Sequence, residues 1–304
     1  MKAVVIGQSG QLAQNLARLS GQCLASGRVP ELTCLGRGHC DLLQPETVAR
    51  VIAEASADLV INAAAYTAVD KAESEQAACT ALNRTGVAAL AQACARKGVP
   101  LIHVSTDMVF DGHKSGDYVE TDPVAPLSHY GRTKADGEAA VRAALVDHLI
   151  VRVSWVYSPF GENFLTAMMR LASTRDALSV VSDQIGHPTY GPDLAVSLLT
   201  MGEALLAGRG QAGTYHVAGD ETAISRYQQA AETLRLAAEL EVPLKAALSP
   251  VLTRDFPTPA VRPLNAALNS QKAKDVFGVR VRGWSEMAQT AVRGLVAEQR
   301  SEQA

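Results

Sequence analysis

The 304-residue sequence has no excess of basic residues and no long apolar run. Its 28 Lys and Arg stand against 31 Asp and Glu, a formal net charge of -3, which argues against a nucleic-acid-binding protein. No stretch of about 18 apolar residues is present, so no segment is predicted to cross a membrane. The first apolar run stops at Gly7, too early for a signal peptide, and we therefore expect a cytoplasmic protein.

Cysteine is sparse, and its spacing excludes two kinds of site. The five cysteines are an odd number, and no two of them form a Cys-x-x-Cys pair. Neither a disulfide framework nor a zinc site is therefore expected, and the pattern fits a reducing compartment.

The sequence does have a regular alternation of strand-like and helix-like segments, within an ordinary globular composition of 47% hydrophobic and 19% charged residues. Short apolar runs at 2–6, 32–35, 59–62, 101–105 and 149–153 are predicted strands. Helical patterns at 11–20, 45–55, 77–97 and 134–144 separate them. This order predicts an α/β protein with a Rossmann-type, doubly wound parallel sheet.

The regularity weakens after about residue 155. Segments 182–193 and 248–265 are rich in proline, glycine and polar residues, and helical patterns return at 163–173, 194–207, 225–241 and 285–298. We therefore expect residues 1–155 to form the nucleotide-binding domain, with returning segments from the second half. Residues 156–304 are expected to form mainly a smaller, mixed α/β lobe that binds the substrate.

A glycine-rich turn follows the first predicted strand. Gly7, Gly10 and Ala13 form a G-x-x-G-x-x-A pattern at the head of the first helix. Glycines let the backbone approach a pyrophosphate, and the helix N-terminus offers it free N–H groups and a positive dipole end. The pattern predicts a dinucleotide site.

The ends of the next two strands refine that prediction. Arg37 follows the second strand where NAD-preferring sites carry an acidic residue, which favours NADPH, with NADH as the alternative. Asp41 and Leu42 follow, and we expect them to lie near the adenine edge of the bound cofactor. The small residues Ala63, Ala64 and Ala65 follow the third strand and would let a cofactor lie across the strand ends.

A Tyr130-x-x-x-Lys134 pair supplies a candidate reducing site. If a helix starts near Tyr130, both side chains lie on one face. A ketone reduction needs a proton donor at the carbonyl oxygen, and we expect the Lys134 ammonium to lower the pKa of Tyr130 so that this proton transfers near neutral pH. Thr106, at the end of the fourth strand, is placed to hydrogen-bond and polarise the carbonyl.

These motifs together resemble the dTDP-4-dehydrorhamnose reductases, a family of extended short-chain dehydrogenases. The resemblance covers nearly the whole chain and is carried by segments 7–12 (GQSGQL), 62–73 (NAAAYTAVDKAE), 105–107 (STD), 120–123 (ETDP), 130–134 (YGRTK), 152–157 (RVSWVY), 183–189 (DQIGHPT) and 262–263 (RP).

The resemblance implies reduction of a nucleotide-linked 4-keto-deoxysugar to complete dTDP-L-rhamnose. It assigns catalysis to Thr106, Tyr130 and Lys134. It also implies the following further contacts. Cofactor contacts are expected from Gly7, Gly10, Gln11, Leu12, Arg37, Asp41, Leu42, Ala63, Ala64, Ala65, Tyr130 and Lys134. Substrate contacts are expected from Thr106, Asp107, Trp155 and Arg262, with loop 183–189 on the substrate side and Arg262 suited to a diphosphate.

Three positions depart from the family pattern. Met108 stands where a tyrosine is common, Ala266 where a serine is common, and Asn15 where some members have a glutamate that helps bind a metal at a dimer contact. We predict no catalytic metal, and the sequence leaves open whether the protein is a monomer or a homodimer.

Two other classes of function remain open at this point. The regulatory beta subunit of methionine adenosyltransferase is similar in fold and motifs but serves as a binding protein. A sugar-nucleotide epimerase, or a reductase for another sugar nucleotide, is the second alternative, although an epimerase would be favoured by an acidic residue where Arg37 stands.

Overall fold

The computed structural model describes residues 1–24 and 27–303. The strands are β1 (Lys2–Ile6), β2 (Glu31–Leu35), β3 (Leu59–Asn62), β4 (Leu101–Thr106), β5 (His148–Val153), β6 (Val156–Tyr157), β7 (Ala177–Val181), β8 (Ile185–Gly186), β9 (Thr189–Tyr190), β10 (Gly213–His216), β11 (Gly219–Asp220), β12 (Ile224–Ser225), β13 (Ala247–Val251), β14 (Asn265–Ala266) and β15 (Val281–Arg282). The α-helices are α1 (Gln11–Leu19), α2 (Pro45–Glu54), α3 (Gln76–Thr80), α4 (Val87–Lys97), α5 (His129–Ala144), α6 (Phe164–Thr174), α7 (Gly191–Leu206), α8 (Arg226–Glu239), α9 (Gln271–Phe277) and α10 (Trp284–Gln303).

The centre of the molecule is a six-stranded parallel sheet in the order β2-β1-β3-β4-β5-β10. The strand order reverses direction between β1 and β3, which creates the crevice where open α/β sheets bind ligands. Every residue of β3 and β5 is buried, as expected for strands covered on both faces. The predicted Rossmann-type α/β fold is confirmed.

Two helical layers cover this sheet. Successive strand residues point to opposite faces, so Ala3 and Val5 join one core while Val4 and Ile6 join the other. Helices α1 and α7 pack together on the first face, and α2, α4 and α5 form the second layer. No helix in the described ranges is both long and apolar enough to span a bilayer.

The helix predicted at 77–97 is interrupted. The segment consists of α3, a π-helical turn (Ala81–Gly86) and α4. The Asn83 side chain in the π turn donates to the Tyr66 carbonyl at 3.1 Å and accepts from the Tyr66 N–H at 2.8 Å. This pair of bonds to a distant loop is the tertiary contact that the helical periodicity did not reveal, and π turns of this kind are frequent at functional sites.

Helix α5 begins at His129, five residues before the predicted segment 134–144. Ser128 is its N-cap, and its hydroxyl accepts from the Gly131 N–H at 3.1 Å. Tyr130 therefore lies in the first helical turn.

The second half of the chain returns to the central sheet. Strand β10 pairs in parallel with β5 at the edge of the sheet, and α7 packs against α1. The remaining strands form small sheets of two or three strands, including the β12-β8-β14 sheet. Segment 213–216, for which the sequence predicted no strand, is thus part of the nucleotide-binding sheet.

Candidate active site

The turn between β1 and α1 has a conformation that suits glycine. Gly7 has φ +124°, and its N–H donates to the Leu35 carbonyl at 2.9 Å. A Cβ on Gly7 would lie 3.4 Å from backbone atoms of Ala63 and Ala64, whereas a Cβ on Gly10, the N-cap of α1, would meet no atom of the described residues within 4 Å. The space above the helix N-terminus is therefore open.

This turn forms one wall of a cavity of about 610 Å³, which we call the glycine-turn cavity. Of the residues expected to bind the cofactor, it brings together Gly7, Gly10, Arg37, Asp41, Leu42, Ala63, Ala64 and Ala65. The Asp41 carboxylate accepts from the Leu43 N–H at 3.0 Å, so one of its oxygens is used within the loop. Arg37 lines the glycine-turn cavity and is exposed to solvent.

A second cavity of about 320 Å³, the tyrosine cavity, adjoins the first. It is lined by Gln11, Leu12, Thr106, Asp107, Tyr130, Lys134 and Trp155, among others. Both cavities share Gly10, Thr67 and the three alanines after β3, so they form one continuous cleft over the carboxyl ends of the strands. The structure thus brings together the predicted site residues except Arg262.

Tyr130 and Lys134 lie on one face of α5, and both are buried. The Lys134 Nζ donates to the Val104 carbonyl at 2.7 Å. Burial lowers the pKa of Lys134 to about 8, although the nearby Glu138 carboxylate acts in the opposite direction.

The expected lowering of the pKa of Tyr130 is not what the structure shows. Its pKa is raised, first because burial disfavours the phenolate and then because the Asp107 carboxyl lies nearby. The Lys134 ammonium is directed to the Val104 carbonyl and does not offset this burial. Tyr130 consequently keeps its proton over the whole physiological pH range.

Asp107 lines the tyrosine cavity and accepts hydrogen bonds from two hydroxyl groups. One carboxylate oxygen accepts from the Thr106 hydroxyl at 2.7 Å and the other from the Ser154 hydroxyl at 2.9 Å. Burial raises the pKa of Asp107, and these two bonds together with the Arg226 charge oppose that rise. A hydroxyl has a single hydrogen, so Thr106 donates to a substrate only when it releases Asp107.

Beneath Lys134 lies a buried ion pair that sequence analysis missed. Glu138 accepts from Arg152 at 2.8 and 2.7 Å and from the Ser105 hydroxyl at 2.6 Å. The pKa of Glu138 is lowered, because the hydrogen bonds and charge of Arg152 outweigh its burial. The signal was the spacing of four between Lys134 and Glu138, which places them on one helix face. The pair ties α5 to the ends of β4 and β5.

Trp155 forms part of the wall of the tyrosine cavity. Its φ of +47° is left-handed, an uncommon conformation for a bulky side chain. The Arg226 guanidinium lies 3.6 Å from the centre of its indole ring. Arg226 was not among the predicted residues, and no motif around it signals this contact.

Arg262 is paired within the protein. Its two terminal nitrogens donate to the Asp70 carboxylate at 2.9 and 2.8 Å, and this pairing lowers the pKa of Asp70. In the predicted substrate-side loop, Asp183 accepts from the N–H and hydroxyl of Thr253. The role of Arg262 toward a diphosphate stays a prediction.

The three departures from the family pattern occupy different places. Met108 packs beside Tyr130, and the Ala266 carbonyl lies 3.1 Å from the Ser154 hydroxyl that donates to Asp107. Asn15 is buried, with its amide donating to the Gln11 carbonyl and the Ser158 hydroxyl, both at 2.9 Å. It lies inside the α1–α7 contact rather than on an exposed face.

The sequence is similar to a family of known proteins over almost its whole length. The family described as RmlD substrate binding domain matches residues 1–296. A dTDP-4-dehydrorhamnose reductase from Sinorhizobium fredii is 40% identical over 98% of this chain and 99% of its own. The Escherichia coli protein of the same name is 37% identical over 93% of this chain and 94% of its own.

Solved structures agree with these relatives. A dTDP-4-dehydrorhamnose reductase from Clostridium acetobutylicum superposes with a TM-score of 0.86 at 32% identity, covering 96% of this chain and 99% of that chain. One from Bacillus anthracis in complex with NADP has a TM-score of 0.85 at 29% identity, covering 98% and 99%.

The parallel sheet, the glycine turn and the buried Tyr130–Lys134 pair define an oxidoreductase of the Rossmann class. Within that class, the chain belongs to the dTDP-4-dehydrorhamnose reductase family. The resemblance predicted from the sequence motifs is confirmed.

Proposed function

We propose that the protein reduces the 4-keto group of dTDP-4-dehydro-6-deoxy-L-mannose (dTDP-4-dehydrorhamnose) to give dTDP-L-rhamnose, with NADPH as the reductant and NADH as the alternative. The observation that carries this proposal is the meeting of Thr106, Tyr130 and Lys134 in one cavity that continues into the glycine turn. Relatives named dTDP-4-dehydrorhamnose reductase, 37–40% identical to this chain, support the choice of substrate.

The residues present fit a dinucleotide. The open space at Gly10 suits a pyrophosphate. The backbone of Gly7 lies close to that of Ala63, so a side chain at Gly7 would crowd the turn. Arg37 is exposed at the cavity edge and would bind the phosphate that distinguishes NADPH from NADH. The Bacillus anthracis relative in complex with NADP supports this assignment. When bound, the cofactor supplies the hydride.

Three side chains of the protein supply the proton and stabilise the groups between which it moves. Tyr130 is neutral before reaction and donates its proton to the carbonyl oxygen as the alcohol forms. Thr106 turns its hydroxyl from Asp107 to the same oxygen and holds the substrate in place. Lys134 is protonated below about pH 8; it donates one N–H to the Val104 carbonyl and keeps two for the phenolate that forms once Tyr130 has given up its proton. We also propose that Asp107, Trp155 and Arg262 contact the substrate, whose nucleotide part lies mainly against the lobe formed by residues 156–304.

The test is NADPH consumption with dTDP-4-dehydrorhamnose made in the same tube by a sugar-nucleotide epimerase. We expect loss of reduced-nicotinamide absorbance that depends on both the protein and the epimerase product. Conversion of a sugar nucleotide with retained NAD and no net consumption would replace the proposal with an epimerase. NADPH binding without oxidation of any 4-keto sugar nucleotide would replace it with a binding role.

A further inference from the structure

Trp155 lines the tyrosine cavity, and its backbone conformation is unfavourable for a bulky side chain. Non-glycine residues rarely adopt the left-handed region, and a bulky residue remains there only when its surroundings hold it. Trp155 lines the tyrosine cavity together with Thr106, Tyr130 and Lys134. A contact that fixes its ring therefore also fixes the shape of the site.

The backbone at Trp155 is clamped by β9. The Thr189 N–H donates to the Trp155 carbonyl at 3.2 Å, and the Thr189 hydroxyl donates to the Ser154 carbonyl. These bonds hold the main chain, but they leave the orientation of the indole to its side-chain contacts.

Gly186 of β8 and Arg226, the first residue of α8, contact the indole. The backbone of Gly186 approaches it so closely that a Cβ there would lie 2.8 Å from the indole Cε2. The Arg226 guanidinium lies over the ring, 3.6 Å from its centre. The antiparallel pairing of β8 with β12 sets both residues beside Trp155, because Arg226 directly follows β12.

Arg226 is itself held in place. Its N–H donates to the Gln184 carbonyl at 3.1 Å, and its Nη1 donates to the Gln229 side chain at 3.0 Å. Burial lowers the pKa of Arg226 to about 9, while the Asp107 carboxylate acts to raise it and Arg262 to lower it. At neutral pH the guanidinium is charged and partly shielded from water, which strengthens stacking on an aromatic face.

We propose that Arg226 is a positioning residue of the reducing site, whose planar guanidinium stacks on Trp155 and holds the indole as the wall against which the sugar is set. The proposal rests on the proposed reductase function for its kinetic consequence. It assigns no chemical step to Arg226, which does not line either cavity among the described residues.

Kinetics provide the first test. Arg226→Met keeps an unbranched side chain that reaches about as far as Nε but removes the charge and the planar group, and Arg226→Lys keeps the charge without the planar group. We expect both variants to raise KM for the sugar nucleotide roughly tenfold with kcat changed less than about twofold, since the lost contact orients the bound substrate. Arg18→Met is the matched control. Arg18, on helix α1, lies over the Phe160 ring at 3.7 Å from its centre, and its replacement should leave KM unchanged.

Tryptophan emission is the second test and needs no substrate. The chain has two tryptophans, so subtracting the spectrum of Trp155→Phe isolates the emission of Trp155 from that of buried Trp284. We expect Arg226→Met and Arg226→Lys to change this difference spectrum and to make it more quenchable by acrylamide, while Arg18→Met leaves it unchanged.

The outcomes distinguish failure of the stacking role of Arg226 from failure of the reductase function. An Arg226→Lys variant with the original KM, or either variant with an unchanged Trp155 spectrum, would overturn the stacking role. If Arg226→Met does not fold, Arg226→Lys decides the question alone. A parent protein that oxidises no NADPH would refute the reductase function, and the emission measurement would still decide whether Arg226 holds the indole.

Discussion

Tyr130 is surrounded by groups that keep it protonated. Its hydroxyl is buried beside the Asp107 carboxyl, and the Lys134 ammonium is directed to the Val104 carbonyl. Such an arrangement suits a proton donor that must not ionise before reaction. The proton leaves only when a stronger acceptor develops at the carbonyl oxygen, as it does in the transition state of a reduction.

Removing that proton donor gives the first prediction. Tyr130→Phe should lower kcat by about 10²- to 10⁴-fold, the usual range for a general acid, while the affinity for NADPH stays nearly the same. Steady-state rates and a cofactor titration measure the two effects. Tyr157→Phe is the control, because Tyr157 is a buried tyrosine whose hydroxyl has no hydrogen-bond partner among the described residues. Near-normal turnover of Tyr130→Phe would refute its assignment.

The charge on Lys134 gives a prediction of pH dependence. The pKa of Lys134 is lowered to about 8, so the amine is protonated below this pH and loses its charge above it. We expect kcat/KM to fall as the pH rises through about 8, because the ammonium no longer stabilises the phenolate. Lys134→Arg should remove this basic limb from whatever activity remains, since a guanidinium stays charged. A limb at the same pH in both proteins would assign it to another group.

At the scale of elements, short irregular pieces place the reacting groups. The Ser128 cap starts α5 early enough to bring Tyr130 into its first turn. The π turn holds Asn83 against both the Tyr66 backbone and the Thr133 hydroxyl of α5, at 3.2 Å for the latter. The loop after β3 and helix α5 are therefore joined by the side-chain amide of Asn83.

The glycine turn allows a paired prediction. Gly7→Ala places a side chain at φ +124° and should lower the free energy of unfolding by about 1–3 kcal/mol and weaken NADPH binding. The methyl group of Gly10→Ala meets no atom of the residues in ranges 1–24 and 27–303 within 4 Å, so this variant should fold normally, yet it should lose cofactor affinity because the methyl group occupies the space of the phosphate. Urea unfolding and NADPH titration compare the two. Normal NADPH affinity in Gly10→Ala would place the pyrophosphate elsewhere.

At the scale of the whole molecule, the two halves of the chain share one sheet. Strand β10 covers the edge of β5, and α7 covers α1 through the core that contains Leu16 and Leu198. The sequence boundary at residue 155 therefore cuts through a continuous hydrophobic core.

This sharing predicts that residues 1–155 do not fold alone. A chain ending at residue 155 should expose the edge of β5 and the buried face of α1, and should aggregate or be digested rapidly by protease. The full chain should unfold in one cooperative step that NADPH shifts to higher temperature. A soluble 1–155 fragment that resists protease and binds NADPH would contradict this view.

Local patterns in the sequence carried much of the fold and part of the candidate site. Strands β1 and β3 have the predicted bounds, and the glycine turn follows β1 as expected. The spacing of Tyr130 and Lys134 placed them on one face once a helix formed. These features depend on neighbours within a few residues, where hydrophobic periodicity, glycine and helix geometry leave a readable pattern.

Other features of the site were decided only by tertiary structure. The bond from Ser154 to Asp107, the stacking of Arg226 on Trp155 and the pairing of Arg262 with Asp70 join residues that are 47, 71 and 192 positions apart in the sequence. No local pattern encodes such pairs, because they form only after the sheet brings strand ends together. The raised pKa of Tyr130 has the same origin: burial is a property of the folded molecule, whereas the sequence showed only a lysine four residues away.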